Sequence, residues 1–546
     1  MARLFIFILL SSLFFCPSPA RADAPLASAG KSVEQDRKLV DKLEHDCFLY
    51  AWEYSFAASG LARERTNYYP EGPGAVGGTG FCAAAIVAGT ERGWVTRDQA
   101  VKRLLKLTGF LLDKTDRKKL HGAFPHWING DTGETLPFGD DDAGADLVET
   151  GFLMQGLLIA RAYFNGQNAE ETELRRRITT LWEDVDWNWF TNGQKALYWH
   201  WDPEKGFRMG MKITGFNEAL IVYVLALSSP THPISPEALE GWYNPEDYQT
   251  RHYYGYDIEG SVIYSGPLFH AHYSFIGLDP REISDAYVPH GYWVRNVTQS
   301  LINRAYCVFF SPKGQKYHEG FWGLTSSETK ERYLYSSPVY ESSTVAPTAP
   351  LSSIPYVPEY AMRFLWDLRT HHANVWSLYG PRDAYSLRDR WSSIEYIAID
   401  QLPIICMTEN YRSGLLWKLF MGIKEIQNGL KRGNFTPPAL VDGFPRMVVT
   451  MSRDSTDSNK IPDACDLRRH PDTGRYSVAF ACTEDGRVSF TLTDSTGKKL
   501  DAQTLTVRKG HHVLAFPASL APAPAEIRTL TMKTPSSTHA IPLRFN

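Results

Sequence analysis

The stretch Phe152-Leu-Met-Gln-Gly-Leu-Leu-Ile159 is apolar on nearly every face of the helix that its pattern predicts. A helix that is apolar all round has to be buried on every side. The segment from Ala219 to Leu227 has the same character. The segment from Leu174 to Val185 instead places its apolar residues on one face and its charged residues on the other. Fully buried helices therefore alternate with half-buried helices along this chain.

Helical periodicity of these two kinds extends from about residue 33 to about residue 435. Two concentric rings of helices require such an alternation, because the inner ring is covered and the outer ring faces solvent. Six helix pairs of ordinary length need roughly 400 residues with their connections, which this region provides. We therefore predict an all-α catalytic domain, an (α/α)6 toroid, over residues 33–437.

The pattern changes after Pro437-Pro438, where short alternating segments are separated by turn dipeptides such as Asp485-Gly486. Residues 438–546 are predicted to form a small C-terminal β-sandwich, an accessory domain without an assigned function. Its predicted strands are Met447–Met451, Tyr476–Phe480, Val488–Leu492, Leu505–Val507, Val513–Phe516 and Leu530–Met532.

The first 22 residues have the three parts of a secretory signal peptide: a charged start, an apolar run and an Ala-Arg-Ala cleavage site. We predict cleavage after Ala22 and a periplasmic or secreted protein. Lipidation of Cys16 is the weaker alternative, because Phe15 stands where a small residue should precede the cysteine. No later apolar run is long enough for a membrane helix.

Composition excludes several functional classes. The net charge is −4 and no basic stripe is present, which argues against a nucleic-acid partner. The six cysteines after Cys16 contain no C-x-x-C pair, so no zinc site is expected. Cys465 and Cys482 flank a turn-rich stretch in which a disulfide can form, whereas the others are predicted core thiols: Cys47, Cys82, Cys307 and Cys406.

The segment Gly139-Asp-Asp-Asp-Ala-Gly-Ala-Asp-Leu-Val-Glu-Thr150 concentrates carboxylates just before a buried helix. If the helix begins near Asp142, then Asp142, Asp146 and Glu149 project from one face. An acidic helix cap explains Asp140 and Asp141. It does not explain Glu149, which lies inside an apolar run, and a buried glutamate is rare unless it is paired or functional.

Two further acids stand in similar places. Glu218 precedes the second all-apolar helix, and Asp400 precedes another apolar segment. In a double ring the N-termini of the inner helices converge on one end, so these acids are expected to line one cavity. Glycoside cleavage needs one protonated carboxyl group and one ionised carboxylate.

Aromatic residues lie near these acids in sequence and suit stacking on sugar rings. They include Trp127 and the cluster Tyr198-Trp-His-Trp201. His270 and His272 alternate without a carboxylate or cysteine close by, so we do not predict a metal site there.

The chain resembles the bacterial glucoamylase-like proteins, and within them the endo-β-1,2-glucanases of glycoside hydrolase family 144. The resemblance covers roughly residues 35–435. The matching stretches, in order, are Ser59–Arg65, His121–Trp127, Gly144–Thr150, Tyr198–Trp201, Gly215–Glu218, Ser228–Pro233, Gly266–Phe269, His272–Phe275, Leu301–Cys307, Trp322–Thr325 and Asp400–Phe420.

This resemblance implies an (α/α)6 toroid that hydrolyses β-1,2-glucan with inversion, without a cofactor or metal, and we expect a monomer. The catalytic residues that carry over are Asp142, Asp146, Glu149 and Glu218. The expected substrate-binding residues in the matched motifs are Arg63, Trp127, His200, Trp201, His272 and Asp400.

The chain departs from the family pattern between residues 326 and 344, where Glu328 stands in place of an aspartate, and at Leu402, where the family has glycine. We expect the first of these loops to lie over the cleft, so endo or exo action and the exact linkage stay open. The alternatives are hydrolysis of another linkage, transglycosylation, and a glycan-binding protein without catalysis.

Overall fold

Helices buried on all sides alternate along the chain with helices buried on one side. The computed structural model describes residues 33–438 apart from 140–141, 247, 255 and 313, and then residues 451–452, 465–469, 476–482, 486–494, 496–507, 510–516, 527–533 and 538–544. The predicted signal peptide lies outside these residues.

The described part is rich in helix. Its α-helices are α1 Val33–Glu53, α2 Val76–Glu91, α3 Arg97–Asp113, α4 Leu147–Tyr163, α5 Ala169–Glu183, α6 Leu220–Ser228, α7 Leu239–Trp242, α8 Tyr292–Ala305, α9 Thr348–Ser352, α10 Pro358–His371, α11 Ala398–Ser413, α12 Leu415–Met421 and α13 Lys424–Arg432. None of them combines the length and apolar character that crossing a bilayer requires.

The predicted burial of individual helices is confirmed. Residues 147–160 of α4 and the whole of α6 are buried, whereas α5 buries one face, with Leu174, Ile178 and Trp182, against the core. Helices α2 and α4 pack so closely that a side chain on Gly80 would collide with the carbonyl oxygen of Phe152. The free thiols Cys47, Cys82, Cys307 and Cys406 are buried, as predicted.

The N-termini of three buried helices meet at one end of this core. Gly77, in the first turn of α2, contacts Glu149 in the first turn of α4. On its other side, α2 approaches α11, because a side chain on Gly78 would lie 2.8 Å from Cβ of Ala398. The predicted convergence of helix N-termini is therefore confirmed for α2, α4 and α11.

Short strands join the helices at this end and elsewhere. They are β1 Gly74–Ala75, β2 Trp127–Ile128, β3 Thr135–Leu136, β4 Ala145–Asp146, β5 His200–Trp201, β6 Gln249–Tyr253, β7 Tyr256–Ser261, β8 Ser327–Glu328, β9 Tyr333–Leu334, β10 Trp376–Ser377, β11 Gly380–Pro381, β12 Tyr385–Ser386 and β13 Trp391–Ser392. The antiparallel pair β4–β5 sets Asp146 opposite His200 and Ala145 opposite Trp201.

In the described part of the C-terminal region the strands form two four-stranded antiparallel sheets, with strand orders β14-β19-β16-β15 and β18-β17-β20-β21. The side chains of Cys465 and Cys482 lie outside the described part, so their predicted disulfide stays a prediction. The strands are β14 Met451–Ser452, β15 Cys465–Arg469, β16 Tyr476–Cys482, β17 Gly486–Thr493, β18 Lys499–Val507, β19 Gly510–Phe516, β20 Ile527–Lys533 and β21 Thr538–Arg544.

Candidate active site

Glu149 lies buried in the first turn of α4. Its Oε2 accepts a hydrogen bond of 2.6 Å from the backbone N–H of Gly77, one of the amides that the start of α2 leaves without an acceptor in its own helix. Burial raises the pKa of Glu149 to about 7, with His126 opposing this effect and Asp146 adding to it. Glu149 can therefore hold a proton near neutral pH.

Asp146 caps the same helix and keeps its charge. Its Oδ1 accepts hydrogen bonds from the backbone N–H groups of Val148 and Glu149, and its Oδ2 lies 2.9 Å from Nδ1 of His126. Burial opposes ionisation of Asp146, but these bonds hold its pKa below the ordinary value. Burial likewise disfavours the charged form of His126, yet the surrounding carboxylates raise its pKa to about 9.

Asp142 lies in the connection before α4, and the expectation that the helix begins near it is wrong. The helix begins at Leu147, because β4 is held in an extended conformation by its pairing with β5. Asp142 still joins the cluster: its Oδ1 lies 3.3 Å from Nδ1 of His200 and its Oδ2 lies 3.9 Å from Nδ1 of His126. Burial favours the neutral form of His200, but its contact with Asp142 and the charges of Asp146 and Asp142 together outweigh burial and raise its pKa.

Glu218 approaches this cluster from the connection just before α6. Its Oε2 lies 3.4 Å from Nε2 of His270, and its backbone carbonyl accepts a hydrogen bond from the hydroxyl of Ser274. The side chain stays 14% exposed. Burial raises the pKa of Glu218 to about 7, and the charges of Glu149 and Asp146 add to this effect.

Asp400, in the first turn of α11, belongs with Asp383 to a second group of acidic side chains. It accepts hydrogen bonds of 3.2 Å from the hydroxyls of Tyr273 and Tyr333. Burial raises the pKa of Asp400 to about 7, although its contacts with the two tyrosines and with Asp383 oppose this effect. The pKa of Asp383 is raised well above its ordinary value, first by burial and then by Asp400. Both carboxyl groups therefore take up a proton more readily than an exposed aspartate does.

Tyr273 links the two acidic groups. Its hydroxyl donates a hydrogen bond to Asp400, and burial raises its pKa, with the charge of Asp400 and, more weakly, that of Glu218 adding to this effect. His270 lies on the same side, where Tyr335 is 3.2 Å from its Nε2. Burial lowers the pKa of His270 to about 3, so it is a neutral hydrogen-bonding group beside Glu218.

The hairpin β8–β9 reaches over these residues, as predicted for the loop at 326–344. It carries Tyr333 to Asp400, and Tyr335 follows it towards His270. At its base, Oε1 of Glu328 lies 2.5 Å from Nη1 of Arg65.

The sequence analysis did not predict as site residues seven groups that the structure brings to these acids: Gly77, His126, His270, Tyr273, Tyr333, Tyr335 and Asp383. His126 and Tyr273 stand within matched motifs, and the sequence also offered a signal for Gly77 and His270. Glycine at the start of a buried helix indicates close approach, and His270 stands beside matched motif residues.

Trp127 and Arg63 lie on the strands and loops around the acids. Trp127 is half-buried in β2, opposite Ala75, and packs edge to face with Phe138 at 5.0 Å. The guanidinium of Arg63 stacks 3.8 Å above the ring of Phe56. Its Nη1 donates a hydrogen bond of 3.0 Å to the carbonyl oxygen of Pro70, and no carboxylate of the described residues forms an ion pair with Arg63.

His272 and Trp201 lie away from the carboxylates. His272 is 1% exposed and its Nε2 lies 2.9 Å from the hydroxyl of Ser353, so it is a core residue. Trp201 follows His200 on β5, and successive side chains of a strand point to opposite faces. His200 faces Asp142, and Trp201 therefore faces away from it.

Among the described residues, two groups of side chains have the spacing of metal ligands. The donor atoms of His126, Asp142 and Asp146 all lie within 4.8 Å of one another, and so do those of a second group made of His318, Asp367 and His372. In the first group, the imidazolium of His126 already supplies a positive charge between the two carboxylates.

The sequence of this chain matches a known protein family and a curated relative. The profile of the Glycoamylase family matches residues 210–424. The exo-β-1,2-glucooligosaccharide sophorohydrolase (non-reducing end) of Parabacteroides distasonis is 39% identical over 440 residues, which are 75% of this chain and 60% of the relative. The chain thus spans less than two thirds of the length of that curated relative.

Solved structures agree with this result. The endo-β-1,2-glucanase of Chitinophaga pinensis, in complex with sophorotriose and glucose, superimposes with a TM-score of 0.71 at 41% identity, covering 74% of this chain and 99% of that one. The β-1,2-glucanase of Parabacteroides distasonis gives a TM-score of 0.70 at 39% identity, covering 73% and 60%. By its likeness to nearly the whole of one solved relative and by the profile match, this chain belongs to the Glycoamylase family of bacterial glucoamylase-like proteins.

Proposed function

We propose that this chain hydrolyses β-1,2-glucan, or oligosaccharides derived from it, by general acid–base catalysis. The observation that carries the proposal is the set of carboxyl groups at one end of the helices. Glu149 and Glu218 have a pKa of about 7, beside Asp146, whose pKa is lowered. The similar proteins of Parabacteroides distasonis and Chitinophaga pinensis, named for action on β-1,2-linked glucose, support the choice of substrate.

Glu218 is the proposed proton donor to the leaving oxygen. It is partly exposed and carries a raised pKa, so it can hold a proton near neutral pH and still reach a substrate. His270 is neutral and positions the carboxyl group without adding a charge that would favour ionisation. A donor of this kind contributes about 10²–10⁴ in rate.

The ionised carboxylate that activates water is proposed to come from the cluster around α4. Asp146 is fixed by two backbone amides and by His126, which leaves Asp142 and Glu149 as the groups able to accept a proton from water. Direct attack by this water on a β-linkage gives an α-anomer, which is inversion.

The chain architecture and location belong to the same proposal. We propose that residues 33–437 form an (α/α)6 toroid around this site, that residues 438–546 form an accessory β-sandwich, and that a signal peptide directs the chain out of the cytoplasm. The binding residues proposed from the geometry are Trp127, His200 and Asp400, with Tyr273, Tyr333 and Tyr335 added from the structure.

The test is incubation of the purified chain with linear and cyclic β-1,2-glucan, β-1,3-glucan and cellulose, with and without an added acceptor sugar, followed by product separation. We expect β-1,2-linked oligosaccharides from linear β-1,2-glucan and no products from β-1,3-glucan or cellulose. Products from another glucan alone would reassign the linkage, and products that require the acceptor would indicate transglycosylation. The Glu218→Gln variant serves as the inactive control.

A further inference from the structure

A cavity of about 630 Å³ lies beside the candidate active site and is not part of it. Aromatic residues Trp189, Trp201 and Phe207 line it together with polar side chains that include Asn188 and Gln194. Its volume is in the range of small-molecule sites, which also combine aromatic surface with a few polar groups.

Two aromatic neighbours, His121 and Trp201, hold the indole of Trp189 in place. One face of its indole stacks on the imidazole of His121, with ring centroids 3.8 Å apart and planes 13° from parallel. Trp201 packs edge to face against it at 5.8 Å. Trp189 nevertheless keeps 39% of its surface exposed. Since His121 covers one face of the indole, the exposed surface belongs to the remaining face and edges.

The cavity suits a neutral ligand. Among the described residues that line it there is no carboxylate, and the one charged side chain there, Lys195, forms an ion pair with Glu240 at 2.8 Å. An anionic ligand would therefore find no unpaired cation there, and a cationic ligand would find no anion. A pyranose ring matches the surface, because its C–H faces can cover an aromatic ring while its hydroxyls bond to polar side chains at the rim.

The cavity lies on the other side of the β4–β5 pair from the carboxylates. His200 and Trp201 are neighbours on β5 and point to opposite faces. The imidazole of His200 lies 3.3 Å from Asp142, whereas Trp201 lines the cavity. One strand pair therefore separates the cavity from the acids, and a ligand in the cavity does not occupy the site of cleavage.

We propose that this cavity is a separate binding site for a neutral glucan chain, in which a sugar ring stacks on Trp189. The inference rests on the proposed function, because it assumes that glucan is the substrate. A chain long enough to reach both places is anchored in the cavity while another part of it lies at the acids. A short oligosaccharide is held at the acids alone.

The test uses the Glu218→Gln variant as parent, since it keeps the cavity and lacks the proposed proton donor. Calorimetric titration with long linear β-1,2-glucan is compared for this parent and after adding Trp189→Ala or Gln194→Trp. Trp189→Ala removes the indole on which the sugar ring stacks. Gln194→Trp keeps Trp189 and fills the cavity. We expect each to weaken binding about three- to tenfold. With Glu218 intact, Trp189→Ala should hydrolyse a β-1,2-linked trisaccharide at the wild-type rate.

Phe309→Ala is the matched control, because Phe309 is an exposed aromatic residue that does not line the cavity, and it should bind as the parent does. Parental affinity in both Trp189→Ala and Gln194→Trp would overturn the inference. If the Glu218→Gln parent binds β-1,3-glucan or cellulose instead, the proposed substrate is wrong. The effect of Trp189→Ala and Gln194→Trp on binding of that glucan then decides the role of the cavity. Binding of no glucan would overturn both.

Discussion

The backbone N–H of Gly77 donates a hydrogen bond of 2.6 Å to Oε2 of Glu149. A side chain cannot be added at this glycine without moving the carboxylate, because a Cβ there would lie 2.7 Å from the same oxygen. The start of one buried helix thereby fixes an acidic group on the next, and the favourable interaction of a helix N-terminus with negative charge adds to the bond.

Gly77→Ala should lower kcat while the protein stays folded. Alanine favours helix over glycine by about 1 kcal/mol, so the change should not unfold α2, but its methyl group displaces the carboxylate of Glu149. A displacement of this size can cost about 10²-fold in rate. Gly109→Ala is the control, because that helical glycine meets only the end of the Arg177 side chain. A wild-type kcat in Gly77→Ala would contradict the role of this contact.

Glu218→Gln and Glu149→Gln should each give a folded and nearly inactive protein. The amide keeps the shape of the side chain and removes its proton chemistry, which is commonly worth about 10²–10⁴ in rate. Thermal unfolding and hydrolysis of linear glucan are measured for both. Wild-type rates at unchanged stability would show that neither glutamate is catalytic, and a variant that fails to fold would assign a structural role to its residue.

The rate should fall as the pH rises through about 7. A proton donor acts only in its protonated form, and burial raises the pKa of Glu218 to about 7 from the ordinary value of about 4.3. Activity dependent on the donor is therefore present below pH 7 and is lost above it. In Glu218→Gln, hydrolysis of an aryl glycoside with a good leaving group should lose this alkaline limb. An alkaline limb that persists there would assign it to another group, such as Glu149.

Tyr333→Phe should lower kcat/KM about tenfold. The hydroxyl of Tyr333 donates to Asp400, and its loss leaves Tyr273 as the remaining tyrosine donor and raises the pKa of Asp400 further. Tyr340→Phe is the control on the same connection, because Tyr340 is 63% exposed. Equal kcat/KM in the two variants would show that the hydrogen bond to Asp400 does not contribute to the reaction.

Helix burial could be predicted from the sequence because a helix buried on all sides has a continuous run of apolar residues. The predicted segment Ala219–Leu227 and the observed helix Leu220–Ser228 differ by one residue at each end. The burial of Glu149 was predicted for the same reason, since it lies within such a run.

Contacts between distant segments could not be predicted. The sequence suggests a helix start near Asp142 because the pairing of Asp146 with His200 leaves no signal in the local pattern. Gly144 belongs to this pairing, since a side chain there would lie 2.3 Å from the carbonyl oxygen of Trp201. Asp383 lies in a loop without periodicity, and only the fold brings it to Asp400.

Proton NMR of the first products released from linear β-1,2-glucan shows whether water attacks the anomeric carbon directly. Carboxylates about 6.5–9.5 Å apart leave room for this water, whereas a retaining enzyme needs about 5–5.5 Å. We expect an α-anomeric reducing end that appears first and then mutarotates. A β-anomer appearing first would mean retention through a covalent intermediate, and no cleavage of this glucan would contradict the proposed function itself.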